Sequence, residues 1–214
     1  MTFEVWLAFA VASAVLVAIP GPTVMLVVGY ALGEGRRSVL STAPGVALGD
    51  VLAMTGSMLG VGAVLAASAT LFSAVKLAGA AYLVWLGWRM WRGAADAGGA
   101  AETLAKRSRG PAGGAAWRMF RESFVVTLLN PKGLVFFVAF TPQFIDPAAP
   151  LAPQLVILIA TFTALGFLNA VLWGLAAGEM RARVARPGVM TWIARAGGGC
   201  LIGAGAVTAL SARS

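Results

Sequence analysis

The chain has 214 residues, 59% of them hydrophobic and only 11% charged, with a mean hydropathy of +0.86. A water-soluble domain carries roughly 25% charged residues, so this composition excludes a soluble globular protein and predicts an integral membrane protein. The net charge of +8 does not mark a nucleic-acid binder, because the basic residues fall in short loops between apolar stretches, where they act as topology signals.

Strand-like alternation of polar and apolar residues is absent, which excludes a transmembrane barrel and predicts an all-α fold. No histidine occurs, removing the commonest metal ligand and the imidazole base. The single cysteine, Cys200, stands between Gly199 and Leu201. It reads as a small packing residue, since neither a disulfide nor a metal cluster can be built from it. No cofactor is expected. The N-terminus lacks the positive region of a cleavable signal, because Glu4 is the only charged side chain before Arg36; Met1 onward is expected in the mature protein.

At roughly 20 apolar residues per crossing, six transmembrane spans are predicted, at about 5–29, 43–66, 70–90, 122–144, 153–177 and 189–211. The first contains Pro20-Gly21-Pro22 in an otherwise uncharged run. Two prolines remove two backbone donors, and glycine permits unusual dihedrals. The second span contains Gly45-Val46-Ala47-Leu48-Gly49-Asp50, with Asp50 as the only carboxylate deep in a predicted span. The third carries Lys76 and Arg89 near its ends, with Trp85, Trp88 and Trp91 expected at the inner interface.

A Gly- and Ala-rich segment with the cluster Lys106-Arg107-Ser108-Arg109 follows. It predicts a flexible cytoplasmic linker over 93–120, dividing the chain into three-helix halves at 1–92 and 121–214. The fourth span contains Asn130-Pro131-Lys132-Gly133, with Lys132 about 15 Å deep at 1.5 Å per residue. Asn169 lies in the fifth span and reads equally well as a polar inter-helix contact. Small-xxx-small spacings at Gly45/Gly49, Gly56/Gly60, Gly174/Gly178 and Gly199/Gly203 read as helix-packing sites.

Of the 16 basic residues, all but Lys76, Lys132 and Arg213 lie in or beside the loops after spans one, three and five. The positive-inside rule puts those loops in the cytoplasm and both termini on the periplasmic or outer side. With three spans per half, the second half enters the membrane upside down relative to the first. This predicts a 3+3 inverted repeat with broken first and fourth helices.

Breaks inside apolar spans are tolerated where they are buried in protein or line a wet cavity. A matched pair in the two halves points to a transporter's binding site. The candidate substrate-binding residues are therefore Pro20, Gly21, Pro22, Asp50, Asn130, Pro131 and Lys132. An aspartate near the bilayer centre costs about 2.5–3.5 kcal/mol on insertion scales, so Asp50 is read as an ammonium ligand or a proton-coupling carboxylate. The alternative is a structural aspartate bonded to freed amides or paired with Lys132. Lys132 reads as a ligand of a substrate carboxylate or as the counter-ion of Asp50. The break at Pro20–Pro22 leaves a fresh helix N-terminus, which attracts carboxylates. One carboxylate, one ammonium and two broken helices suit a zwitterion such as an α-amino acid.

These residues resemble the LysE/RhtB family of amino-acid exporters. The resemblance rests on Pro20-Gly21-Pro22, Gly45 to Asp50, Lys76-Leu77-Ala78-Gly79-Ala80-Ala81-Tyr82-Leu83 with Leu86-Gly87-Trp88-Arg89, and Asn130-Pro131-Lys132 followed by Phe136-Phe137 and Pro142-Gln143-Phe144. It implies a six-helix carrier of the bacterial inner membrane that exports amino acids or close derivatives at the expense of the proton motive force. It also implies that the breaks, Asp50 and the Asn-Pro-Lys segment surround the path. With one buried acid and one buried lysine, a neutral substrate such as homoserine or threonine is favoured. The expected partners are the amino acid, protons and the lipid bilayer, with a homodimer left open. The competing reading is a passive facilitator or channel. An enzyme is disfavoured, because one Asp and one Lys make a thin catalytic inventory.

Overall fold

The computed structural model describes residues 1–67, 69–93 and 114–179, and isolated positions between 191 and 209. Among the described residues the chain forms seven continuous α-helices and no strand: α1 Phe3–Ala18, α2 Pro22–Glu34, α3 Val39–Ala67, α4 Ala69–Arg92, α5 Ala115–Leu128, α6 Pro131–Ala139 and α7 Leu151–Glu179. Short 3₁₀ turns at Arg36–Ser38 and Thr141–Phe144 complete the path.

The first and fourth expected spans are both broken helices. Helices α1 and α2 meet at 53°, and α5 and α6 at 41°. Each restarted segment begins with proline at its first position, Pro22 in α2 and Pro131 in α6. That is where a missing N–H is harmless and the fixed φ favours a helix. Thr2 caps α1, its side chain accepting from Val5 N at 3.4 Å, and α2 ends at Gly35 with φ 86°. Helix α5 begins at Ala115 after Gly114, so residues 115–120, which the sequence placed in the linker, are helical.

Helices α3 and α7 are each long and apolar enough to cross a membrane, and each broken pair meets the same test as one span. The third expected span falls on the continuous helix α4, which is not among the described helices that meet this test. The sixth expected span with Cys200, most of the linker with its basic cluster, and Lys76 lie outside the described residues or side chains.

The packing is reciprocal. Helix α3 of the first half lies against both segments of the second broken helix, α5 and α6, while α7 of the second half lies against both segments of the first, α1 and α2. Close approach is made possible by glycine. A Cβ at Gly45 would collide with the Phe120 carbonyl oxygen, and one at Gly49 would sit 2.8 Å from Thr127 Cβ, so α3 and α5 touch backbone to backbone. Gly174 and Gly178 do the same for α7, against Val39 and Arg36. Gly56 and Gly60 differ from expectation: among the described residues nothing lies within 4 Å of where their Cβ atoms would be, so that spacing packs against none of the described helices.

Beside the breaks lies an aromatic and aliphatic core of Phe9, Leu16, Met54, Met58, Leu83, Phe136, Phe137, Leu158 and Phe162. Phe137 meets Phe162 edge-on at 4.7 Å, and Phe9 meets Phe144 at 5.4 Å. Edge-to-face pairs add about 0.5–1.5 kcal/mol each beyond burial. Such packing matters here because apolar area alone gains little on leaving lipid. The outward faces carry exposed Leu7, Val11, Val15, Leu48, Leu52, Leu168 and Leu172. Trp85 and Trp88 are half-exposed at the end of α4, with Arg89 and Arg92 over their rings at 5.4 and 4.7 Å, the composition of an interfacial belt.

Candidate functional site

The site is built where the two breaks face each other. At the first, α1 ends at Ala18 and Ile19 turns extended, with φ −64° and ψ 120°. In a continuous helix the Leu16 carbonyl would accept from residue 20, but Pro20 has no N–H. Gly21, the N-cap of α2, has no side chain to offer, and no side chain caps that helix. Pro20 and Gly21 are buried, whereas Pro22 is exposed at the helix start. The backbone of Gly21 is extended, with φ −122°, so its dihedral freedom is not what the site uses. Its missing side chain is: a Cβ there would lie 3.5 Å from Lys132 Cε and Nζ.

At the second break the helix start is capped. Asn130 Oδ1 accepts from Lys132 N at 3.1 Å, and Asn130 Nδ2 donates to Thr23 Oγ1 at 3.1 Å. Thr23 Oγ1 in turn stands 3.3 Å from Thr127 Oγ1. Pro131 is exposed and serves as the first residue of α6. The side chain of Lys132 runs back to the first break, where Nζ donates to the carbonyl oxygens of Leu16 at 2.8 Å and Ile19 at 2.7 Å.

Asp50 projects from α3 into the same space and is only 8% exposed. Its Oδ2 lies so close to Gly166 of α7 that any Cβ there would collide with it. Among the described residues no group donates a hydrogen bond to Asp50. It also forms no ion pair with Lys132, although each feels the other's charge. The direct Asp50–Lys132 pairing that the sequence left open is therefore absent: the lysine is held by backbone carbonyls instead.

These groups border one cavity of about 40 Å³, lined by Gly21, Thr23, Asp50, Thr127, Asn130, Lys132 and Asn169 with apolar walls from Val24, Val27, Val46 and Phe162. By that measure it holds about three water molecules. Gly21, Asp50, Asn130 and Lys132 thus meet at one place, Pro20, Pro22 and Pro131 frame it, and Asn169 joins them. Thr23, Thr127 and Gly166 belong to the site and were not singled out by sequence. Short hydroxyl residues and glycines are frequent in these spans, and only the fold marks which ones face the cavity.

The sequence profile of the family described as LysE type translocator matches residues 14–212. The chain is 33% identical over 162 residues to the homoserine/homoserine lactone efflux protein of Salmonella typhimurium, a match covering 75% of this chain and 74% of that relative. It shows the same identity and coverage with the protein of that name from Salmonella typhi. It is also 30% identical over 91 residues to an uncharacterized membrane protein of Vibrio cholerae, covering 42% of this chain and 44% of that relative. No solved structure gives a significant match. The chain belongs to the LysE type translocator family, and is a multi-pass membrane protein of an amino-acid efflux class.

Proposed function

We propose that this member of the family is a secondary carrier of the bacterial inner membrane that exports neutral amino acids, homoserine or threonine foremost, at the expense of the proton motive force. The observation that carries the reading is the single cavity between the two breaks, which presents two groups open to a ligand. Asp50 is a buried carboxylate with no hydrogen-bond donor among the described residues. The N-terminus of α2 has no side-chain cap, leaving the N–H groups of Thr23 and Val24 for an anion. An ammonium on Asp50 and a carboxylate at α2 would hold an α-amino acid at both ends. Thr127 and Asn169 offer polar contacts to a side-chain hydroxyl.

The relatives' printed name pairs homoserine with its lactone. The two share the ammonium and differ at the carboxylate and the side-chain hydroxyl, which the lactone ring joins, so recognition through Asp50 suits both. The cavity is too tight for the whole substrate, so loading requires the broken helices to move. Reciprocal packing of each half's straight helix on the other half's broken helix supports an inverted 3+3 repeat that rocks about the site. The bias of basic residues toward the loops after the first, third and fifth expected spans supports termini on the periplasmic or outer side. Asp50 is also the carboxylate through which a proton would compete with the substrate's ammonium.

The test is efflux of labelled amino acids from loaded proteoliposomes, with and without an imposed proton gradient. Saturable export of neutral amino acids that the gradient accelerates supports a coupled carrier. Non-saturable flux indifferent to the gradient would support a passive facilitator instead.

A further inference from the structure

We propose that Lys132 is a positioning residue, which fastens the end of α1 across the two breaks and does not bind the substrate's carboxylate. This rests on reading the cavity as an amino-acid site. Lys132 comes from the second half of the chain, yet its ammonium donates to Leu16 O at 2.8 Å and Ile19 O at 2.7 Å in the first. Both carbonyls lie at the C-terminal end of α1, where the helix dipole favours a cation. Pro20 withdraws the helical donor of the Leu16 carbonyl, which is left with a 3.3 Å bond from Ile19 N, shared with Val15 O, and the ammonium of Lys132. The two helix-breaking motifs are thus halves of one device: one withdraws a helical donor and the other supplies an ammonium in its place.

The grip is two-handed. While Lys132 holds the end of α1, Asn130 holds the start of α2 through Thr23 Oγ1 and caps the backbone of Lys132 itself. The ends of both segments that meet at 53° are therefore pinned by two residues of the second break, the N-cap Asn130 and Lys132 in the first turn of α6. An ammonium has three N–H groups, and two are committed here. Turning it onto a substrate carboxylate would take the donor from the Ile19 carbonyl and leave the Leu16 carbonyl with only the 3.3 Å bond from Ile19 N, in a site with little room for water, at a cost comparable to a lost hydrogen bond. Gly21 leaves the lane along which the lysine stem passes.

The experiment uses homoserine and homoserine lactone as a substrate pair in proteoliposomes: they share the ammonium, but in the lactone the carboxylate and the side-chain hydroxyl are closed into one ester. Lys132→Met is expected to lower the maximal rate for both by the same factor, about tenfold or more, and to leave the ratio of their KM values unchanged within about threefold. Lys132→Arg, which keeps donors for the two carbonyls, is expected to recover part of that rate. A rise in KM of about tenfold for homoserine alone would make Lys132 a ligand of the substrate's carboxylate or hydroxyl, and either would overturn the proposal.

A second variant guards against misfolding. Pro20→Ala restores an N–H that can serve Leu16 O, so adding it to Lys132→Met is expected to raise Tm and rate above those of Lys132→Met alone. Strictly additive losses would overturn the fastening role. If the wild type moves neither substrate, the substrate reading fails, and the Tm of these variants still decides the role of Lys132.

Discussion

Replacing Asp50 by asparagine isolates the charge from the shape. An ammonium about 4 Å from the carboxylate, at an effective dielectric of about 20, gains about 4 kcal/mol. The amide retains a neutral hydrogen bond of about 1 kcal/mol. The difference, about 3 kcal/mol, corresponds to roughly a 100-fold weaker apparent affinity. The fold should not suffer, because among the described residues no donor relies on the Asp50 carboxylate and the substitution leaves none unpaired. The assay is substrate-dependent efflux from proteoliposomes, with Tm measured on the same preparations. The expected result is a KM for homoserine about 100-fold higher, acceleration by a proton gradient lost, and Tm equal to or above wild type. A KM within about threefold of wild type in well-folded protein would refute the placement of the ammonium on Asp50.

Two further substitutions probe the frame around the site. Gly166→Ala puts a methyl group where Asp50 Oδ2 now lies; efflux should fall by about tenfold or more as the carboxylate is displaced, whereas the same change at Gly56, which faces open space, should leave efflux unchanged. Tyr30, fully buried in α2, donates to Glu122 Oε2 of α5 at 2.5 Å. Tyr30→Phe should therefore cost about 2 kcal/mol, or roughly 4–8 °C in Tm for a chain of this size, read by a thermal-shift assay of the detergent-solubilised protein.

What the sequence revealed follows from which interactions leave a local trace. Proline and glycine act on their own backbone, so both breaks were readable from Pro20-Gly21-Pro22 and Asn130-Pro131 alone. Asp50 stood out because a carboxylate in an apolar run is costly. The partner of Lys132 was not readable. Its acceptors are main-chain carbonyls of Leu16 and Ile19, which any residue carries, in a segment more than a hundred positions away. With only side chains to consider, Asp50 was the evident counter-charge, and the negative end of α1 was overlooked. Gly45 and Gly56 look alike in sequence, but among the described residues the first meets a neighbouring backbone and the second does not. Helix α5 starts earlier than hydropathy indicates, because Arg118 and Arg121 lower the hydropathy of a turn that is helical all the same.

The most direct test of the central claim, that the cavity between the two breaks is where substrate passes, is substrate protection of a single cysteine placed there. Asn169→Cys in a Cys200→Ser background puts a thiol at the cavity wall. The measurement is its rate of alkylation in proteoliposomes that transport homoserine. Saturating homoserine should slow alkylation several-fold, and the protection should vanish when Asp50→Asn is added. An alkylation rate unchanged by homoserine, in protein that exports it, would place the transport path elsewhere and contradict the account.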